Sequence, residues 1–378
     1  MPMRYFDHAA TTVMRESARE AWYKASYEFN PAGQYQLARR ARSVLEDARE
    51  QVAALIGCEP IEVIFTASGT EADNIALKGL WRARNLISPR VISTEIEHSA
   101  VFETARYLES LGAELELLPV DSSGFVYDPA DVLDTPAAVA TCMWANNETG
   151  AIQDVAQIGE KLAATGTPFH IDAVQVLGKL PIKFDSLNAT TLAGSGHKFG
   201  GPRGVGILVA RRSPAPEPLF HGGGQERGIR SGTVDVAGAA GLAAALQEAC
   251  DEMDSHEQRL HRLKCTLIDA IQAAIPDARL NTPEHSLATH INISIPGTEG
   301  DSLIMLLDSH GIAASTGSAC ANGVNRASRV LLAQGLSESL ARGTLRLSMG
   351  YTTTDEDVAY LIEHLPKVIA QAKAAGMA

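Results

Sequence analysis

Short apolar runs alternate with longer segments of helical periodicity through the first two-thirds of the chain. Seven of these runs predict β-strands, at residues 62–66, 90–94, 114–120, 138–144, 168–173, 189–195 and 204–210. Several of the runs are continuously apolar, as expected for strands of a parallel sheet that is covered by helices on both faces. Segments of helix length lie between most of them, including residues 71–85, 99–111 and 155–164. The pattern predicts an α/β fold with a large, mainly parallel seven-stranded sheet.

The last third of the chain has a different pattern. A segment rich in Ala, Leu, Glu and Gln has helical periodicity over residues 236–274 and ends before Pro276. We expect this segment to lead the chain out of the sheet domain. Strands and helices are mixed beyond it, with strands predicted at residues 290–295 and 343–349 and helices at 302–309 and 354–373. This mixture is typical of a smaller α+β domain.

Two domains are therefore expected in a chain of 378 residues. The large domain is predicted over residues 15–250, and the small domain over residues 1–14 and 251–378. The small domain includes a glycine-flanked loop at about residues 315–326, which carries Cys320. Small and glycine residues on both sides of a thiol predict a mobile loop rather than a buried strand or helix.

Charge and cysteine content narrow the classes of function. The net charge of −13 argues against a dedicated surface for nucleic acid or an anionic membrane, since both need basic patches. The five cysteines are spread widely without a C-x-x-C pair, which excludes a disulfide framework and a structural zinc pattern. The N-terminal residues lack an apolar signal core, and we expect a cytoplasmic protein.

Polar residues follow several of the predicted strands at their carboxyl ends, where open α/β sheets bind ligands. Lys198 lies in G-S-G-H-K-F-G-G-P-R-G, and Asp172 ends the run H-I-D-A. A lysine at such a place can bind a carbonyl cofactor covalently, and a buried aspartate can pair with a ring nitrogen. The alternatives are a solvated surface lysine for Lys198 and a helix N-cap for Asp172.

Three further segments end strands of the same sheet. Ser68, Gly69 and Thr70 pass from strand to helix and predict an anion site, which is compatible with a capping role. His98 and Asn147 follow two other strands, although a lone histidine is more often structural. Arg346, in a later strand, is suited to binding a carboxylate with two parallel hydrogen bonds, and its alternative is an ordinary salt bridge.

Taken in order, these motifs resemble those of the class V, fold-type I enzymes that use pyridoxal 5′-phosphate, and specifically the cysteine desulfurases. The resemblance runs from Y-F-D-H-A-A-T-T at residues 5–12 to R-L-S-M-G-Y at 346–351. It rests on E-x-E-H (95–98), N-N-E-x-G (146–150), H-x-D-A-x-Q (170–175), S-G-H-K (195–198), R-G-x-R-S-G-T (227–233) and G-S-A-C (317–320).

The resemblance implies a role for each matching residue. Lys198 would form the Schiff base with the cofactor and shuttle a proton, and Asp172 would pair with the pyridine nitrogen. His98 would stack on the ring, and Gln175 would hydrogen-bond the phenolic oxygen. The residues implied to hold the phosphate are Gly69, Thr70, Ser195 and His197, joined by Thr233 from the second subunit of a homodimer. The residues implied to position the substrate carboxylate are Asn147, also near the cofactor, and Arg346.

The implied activity converts L-cysteine to L-alanine and leaves a persulfide on Cys320 for an acceptor protein. The chain departs from the family pattern at Gln225, where a histidine is common, and in A-N-G-V-N-R-A-S after Cys320. It also ends at Ala378 without the longer tail that housekeeping members have. These departures leave the acceptor open between an iron–sulfur scaffold and a specialised sulfur pathway.

Other functions compete with this interpretation. A selenocysteine lyase or another class V aminotransferase-type enzyme would use the same cofactor site. A non-catalytic sulfur carrier would use the loop thiol alone. A metallohydrolase using His98, His170 and Asp172 is disfavoured because His98 follows a different strand from the other two and supporting ligands are not evident. No metal ligand is therefore predicted.

Overall fold

A seven-stranded sheet forms the centre of the molecule in this computed structural model, which describes residues 3–317 and 327–376. The seven runs predicted as strands all lie in this sheet. The strands are β2 (Val63–Thr66), β3 (Arg90–Thr94), β4 (Glu114–Leu118), β5 (Val139–Thr141), β6 (Phe169–Asp172), β7 (Thr191–Ser195) and β8 (Gly206–Ala210). The predicted α/β fold with a large, mainly parallel sheet is confirmed.

The order of the strands explains where the polar residues meet. The sheet runs β2-β8-β7-β6-β5-β3-β4, and β8 is antiparallel to both of its neighbours while the other pairs are parallel. Strands β2, β3, β5, β6 and β7 therefore end at one edge of the sheet. Ligands bind at this edge in open α/β sheets, and the order of the strands reverses nearby.

Helices cover both faces of the sheet. The helices of this part are α1 (Glu16–Ala25), α2 (Gln36–Ile56), α3 (Gly69–Arg84), α4 (Ser99–Ser110), α5 (Val155–Thr165) and α6 (Val236–Asp251). Alternate residues of β8 belong to two separate apolar clusters, since Ile207 and Val209 pack with α2 and α6 residues while Leu208 packs with α3 residues. Burial on both faces accounts for the continuous apolar pattern of this strand.

Local signals set the ends of the helices that lead to and from this edge. Asp154 caps α5, because its carboxylate accepts a hydrogen bond from the Gln157 amide at 3.0 Å. The same helix ends at Gly166, whose φ of 68° is a left-handed conformation that glycine adopts without steric cost. Helix α2 ends in the same way at Gly57, with φ of 74°.

The predicted helical segment at residues 236–274 contains two helices rather than one. Helix α6 ends at Asp251 and α7 (Met253–Ala274) begins after Glu252. The Glu252 carboxylate is 2.6 Å from the Arg15 guanidinium, so this junction is tied to the segment that precedes α1. The helical composition of the sequence continues across this junction, so it did not indicate that one helix ends and another begins. The Arg15–Glu252 ion pair at the junction joins residues 237 positions apart.

The remaining elements form the smaller α+β part. They are β1 (Arg4–Tyr5), α7, β9 (Arg279–Leu280), β10 (His290–Ser294), α8 (Gly300–Ser309), β11 (Ile312–Ala313), α9 (Arg329–Ala333), α10 (Glu338–Arg342), β12 (Thr344–Ser348) and α11 (Asp355–Gly376). Strands β9, β10 and β12 form an antiparallel sheet, whereas β1 pairs in parallel with β11.

The apolar core is divided between these two parts. One large cluster joins the central sheet to α2 and α6, and another joins α7, α8 and α11 to Phe6 and strands β10 and β12. The domain boundaries at residues 14/15 and 250/251 remain a prediction. Within residues 3–317 and 327–376, no helix combines the length and the apolar composition needed to cross a membrane.

Candidate active site

A pocket of about 300 Å³ opens at the edge of the sheet where the five strands end. Backbone of Ala9 and Ala10 and the side chain of Arg346 approach it from the smaller part of the molecule. The residues predicted from the sequence that line this pocket are Gly69, Thr70, His98, Asn147, Asp172, Gln175, Ser195, His197, Lys198 and Arg346. Residues that lie far apart in the chain are thus brought to one place.

Lys198 lies one turn beyond β7, and its amine points across the pocket wall to the N-terminal segment. Its Nζ donates hydrogen bonds to the carbonyl oxygens of Ala9 at 2.7 Å and Ala10 at 2.8 Å. Burial and the nearby Arg346 cation lower the pKa of Lys198 to about 8, against the opposing effect of Asp172 and Asp7. The amine is therefore closer to its neutral, nucleophilic form than a solvated lysine is, which argues against the surface alternative.

Asp172 ends β6 and is almost fully buried. Its Oδ1 accepts a hydrogen bond from the Val174 amide at 2.9 Å, which is a local turn rather than a helix cap. Burial raises the pKa of this carboxyl, while the His98 ring, the Val174 amide and the Lys198 ammonium oppose that rise. A cation placed against Asp172 would compensate this buried charge.

The start of α3 provides free amide groups beside the pocket. Ser68 caps the helix, since its Oγ accepts a hydrogen bond from the Glu71 amide at 3.1 Å. The capping role and the predicted anion site coexist, because Gly69 and Thr70 line the pocket at the positive end of the helix.

Ser195 and His197 line the pocket beside this helix end. Nδ1 of His197 lies 3.1 Å from the Thr11 hydroxyl. Burial, with smaller contributions from the Lys198 and Arg203 cations, lowers the pKa of His197 to about 4. Its ring is therefore neutral at pH 7 and can donate a single hydrogen bond to a ligand.

His98 has a structural and a pocket-facing side. Its Nδ1 accepts a hydrogen bond from the Ala100 amide at 3.2 Å and caps α4. Burial lowers the pKa of the ring, so the neutral form is favoured and its proton is on Nε2. Nδ1 of His98 therefore has a structural role as a helix cap, as the alternative proposed. The ring itself still lines the pocket.

Arg346 takes part in the salt bridge that was considered as the alternative to substrate binding. Its Nη2 donates to Asp7 Oδ1 at 2.7 Å, and its Nη1 donates to the Asn147 carbonyl oxygen at 2.9 Å. The Nε of Arg346 is buried and has no hydrogen-bond partner among the described residues. The guanidinium is therefore held at the pocket by Asp7 and retains an unused donor.

One predicted site residue, Thr233, does not line this pocket. Thr233 is exposed and lines a separate groove with Asn30, Arg42 and Gln225. Cys320, together with the predicted mobility of its loop, lies outside the described residues. Ser315 and Gly317, the last described residues before it, line the pocket.

Sequence reasoning missed several charged and polar groups of the site. Asp7, Ala9 and Ala10 position Arg346 and Lys198, and the motif Y-F-D-H-A-A-T-T was a signal that they matter. Asp73 and Glu97 lie buried near Asp172, and burial together with this carboxylate raises the pKa of Glu97 to about 8. Nothing local in the sequence showed that these three carboxyl groups would share one region.

The metallohydrolase alternative finds no support in the geometry. Both ring nitrogens of His170 have partners, Thr191 Oγ1 at 2.9 Å and Asp73 Oδ1 at 3.2 Å. In the part of the chain that the structure describes, no three His, Cys, Asp or Glu side chains are grouped so as to hold a metal ion.

The donor set fits pyridoxal 5′-phosphate. An amine with a lowered pKa, a buried carboxylate, an accessible imidazole and a helix N-terminus surround one pocket. These groups match an aldehyde, a pyridine nitrogen, an aromatic face and a phosphate, respectively.

Comparison with known proteins agrees with this arrangement. The aminotransferase class-V family model matches residues 4–361. An IscS-like cysteine desulfurase from Mycobacterium tuberculosis is 43% identical, with 100% of this chain and 98% of that protein covered. The structure of a NifS-like protein superposes with a TM-score of 0.91 at 34% identity, covering 98% of this chain and 100% of that one.

A third relative was solved with an amino acid bound. The structure of SspA in complex with cysteine has a TM-score of 0.80 and is 32% identical, with 92% of this chain and 98% of that one covered. The family model, the similar sequence and the similar structures therefore indicate the same family. The chain belongs to the aminotransferase class-V family and, within it, to the cysteine desulfurases.

Proposed function

We propose that this enzyme uses pyridoxal 5′-phosphate to convert L-cysteine to L-alanine and that Cys320 receives the sulfur as a persulfide. The observation that carries this proposal is the juxtaposition of Lys198 and Asp172 in one pocket whose rim includes Gly317. A lysine amine can bind the cofactor's aldehyde, and a buried carboxylate can pair with its ring nitrogen. Gly317 lies three residues before Cys320.

The cofactor, when bound, supplies an electron sink for the electrons released at the substrate Cα. Lys198 would hold its aldehyde carbon, and Asp172 would keep the ring nitrogen protonated. Gly69, Thr70, Ser195 and His197 would hold the phosphate at the positive end of α3. His98 would contact the ring and Gln175 its phenolic oxygen.

Lys198 is also the best-placed group to move the substrate's Cα proton. Its pKa of about 8 lies near neutral pH, where a general base and acid is most effective. The carbonyl oxygens of Ala9 and Ala10 accept its hydrogen bonds and so fix where the amine lies after release. We therefore assign to Lys198 both the covalent and the proton-transfer role.

Arg346 would bind the substrate carboxylate, with Asn147 beside it. The Asp7 contact holds the guanidinium in place, and the unused Nε gives it a further donor. In this arrangement the substrate carboxylate would share or displace the Asp7 contact. The side chain of the bound cysteine would then be directed toward the Cys320 loop.

In sulfur transfer, Cys320 is oxidised by two electrons and the substrate is reduced by the same two electrons. The Cys320 thiolate attacks the substrate sulfur, an S–S bond forms, and the C–S bond of the substrate breaks. The substrate carbon is reduced to the methyl group of L-alanine, and Cys320 is oxidised to a persulfide. An external thiol or an acceptor protein then removes the outer sulfur.

A homodimer would complete the phosphate site through Thr233 of the second copy. Thr233 does not line the pocket of its own chain and lies instead on an exposed groove beside Asn30. Near this groove, the region of α1 and α2 exposes an unusual number of large apolar side chains, Trp22, Tyr23, Tyr27, Phe29, Tyr35 and Leu37. Exposed aromatic patches of this kind mark protein–protein interfaces.

The proposal extends to the sulfur acceptor and to the cellular location. The likeness to an IscS-like relative supports an acceptor protein, either an iron–sulfur scaffold or a protein of another thiolation pathway. We place the enzyme in the cytoplasm, where its cysteines would stay reduced.

The proposed activity is tested by loading the purified protein with pyridoxal 5′-phosphate and adding L-cysteine with a reducing thiol. We expect a yellow protein whose visible band is lost on borohydride reduction, and alanine and sulfide formed in equal amounts. A colourless protein that forms no alanine would contradict the proposal and favour a sulfur carrier. Faster turnover of selenocysteine than of cysteine would favour a selenocysteine lyase.

The lowered pKa of Lys198 predicts how cofactor capture depends on pH. Only the neutral amine attacks an aldehyde, so capture by the cofactor-free protein should rise about tenfold per pH unit below pH 8 and level off above it. Absorbance after rapid mixing with pyridoxal 5′-phosphate measures this rate. Nα-acetyl-lysine is the control, and its rate should keep rising to about pH 10. A protein rate that follows the same curve would contradict the lowered pKa.

A further inference from the structure

Lys179 is a second lysine inside the molecule, and nothing in the proposed mechanism uses it. It follows β6 by a short turn and lines a cavity of about 390 Å³ on the other side of Lys198 from the cofactor pocket. Its Nζ donates a hydrogen bond to Gln175 Oε1 at 3.1 Å. Among the ion pairs that the described residues form, none includes Lys179.

The contact with Lys179 favours one orientation of the Gln175 amide. The Lys179 Nζ donates to the amide oxygen, and in its ammonium form, which has only donors, it excludes the amide nitrogen. The Gln175 Nε2 must therefore face the opposite side, where it donates to the Ala9 carbonyl oxygen at 3.0 Å. Its second hydrogen is left for a ligand in the cofactor pocket, which Gln175 lines. The Lys179 amine at the amide oxygen and the Ala9 carbonyl at the amide nitrogen together favour this one orientation.

The Ala9 carbonyl links this pair to the reactive amine. It accepts hydrogen bonds from Gln175 Nε2 and from Lys198 Nζ. Lys179, Gln175, Ala9 and Lys198 therefore form one continuous chain of hydrogen bonds. Through this chain, a change at Lys179 reaches the cofactor pocket by way of the Gln175 side chain.

The charged groups that act most strongly on Lys179 are cations, although Glu257 and Glu284 line the same cavity. Lys198 beyond β7 and Arg346 on β12 act on it with like charge, and together with burial they lower the pKa of Lys179 to about 7. His8 and His290 face it from the N-terminal segment and from β10, and burial keeps both rings neutral at pH 7 by lowering their pKa. A half-buried cation that forms no ion pair with the described residues is costly, which is unusual for a residue that serves only packing.

We propose that Lys179 is a positioning residue for cofactor binding, which holds the Gln175 amide with its nitrogen toward the cofactor's phenolic oxygen. This inference rests on the proposed function, because it presumes that pyridoxal 5′-phosphate occupies the pocket. It adds to that function a residue outside the pocket that orients one of the cofactor's ligands.

A double-mutant cycle tests the proposal, using Lys179→Met, Gln175→Ala and the double variant. The dissociation constant of pyridoxal 5′-phosphate is measured by absorbance titration of the cofactor-free protein, and the visible band of the loaded protein is titrated with pH. Lys179→Met should weaken cofactor binding about tenfold, as expected for loss of one oriented hydrogen bond, and shift the pH midpoint of the band. In the Gln175→Ala background the same change should have no further effect.

Controls separate this role from a structural one. Lys183→Met removes an exposed lysine four residues away and should leave both measurements as in the wild type. Lys179→Gln offers the Gln175 oxygen a neutral donor and should restore part of the affinity. Equal effects of Lys179→Met with and without Gln175 would overturn the proposal, as would an unchanged band with only a lower melting temperature. A wild-type protein that binds no cofactor would refute the proposed function instead.

Discussion

Replacing Lys198 with alanine should abolish the covalent link to the cofactor and reduce the conversion of cysteine to alanine by at least about a thousandfold. The structure explains the size of the effect, since Lys198 is the lysine that lines the cofactor pocket in the described part of the chain. Both the bond to the cofactor and the transfer of the Cα proton depend on the same amine. Mass spectrometry after borohydride reduction measures the link, and alanine formation measures the activity.

Lys183→Ala is the matched control for this result, since it removes an exposed lysine close in the sequence and should keep both properties. Lys198→Ala can still hold the cofactor without a covalent bond, because Asp172 and the start of α3 do not depend on the amine. A variant that retained the borohydride-stable mass and normal activity would show that Lys198 is not the reactive lysine.

Replacing Cys320 with alanine should stop persulfide formation and lower sulfide release by about a thousandfold or more, while the yellow cofactor band stays unchanged. Three of the four other cysteines are poor candidates for this role because burial raises the pKa of their thiols. Burial raises the pKa of Cys58 to about 12 and that of Cys142 well above its usual range, so neither forms a thiolate near neutral pH. The pKa of Cys250 is also raised by burial.

Cys265 provides the control, because it is exposed on α7 and free. Cys265→Ala should transfer sulfur at the wild-type rate. The persulfide is measured by mass spectrometry after a single addition of L-cysteine without a reducing thiol. If Cys320→Ala released alanine and sulfide as fast as the unchanged enzyme, the sulfur would have to leave by a route that needs no protein thiol.

The sequence predicted the positions of the site residues along the sheet better than their contacts. Lys198, Asp172, His98, Asn147 and Gly69 were placed together because each follows a strand, and parallel strands end at one edge. For Arg346 and His98, position in the sequence could not distinguish a structural role from a ligand-binding role. Arg346 forms its salt bridge with Asp7, and His98 caps α4, yet both also line the pocket.

The sequence by itself determined the α/β class, the seven strands and the set of groups at the edge of the sheet, since apolar periodicity and strand ends are local properties. Only the tertiary structure decided which groups touch. Asp7 meets Arg346 across 339 residues, and Ala9 meets Lys198 across 189 residues and Gln175 across 166. Such contacts depend on how two separate apolar cores pack against each other, and no local pattern of residues encodes that arrangement.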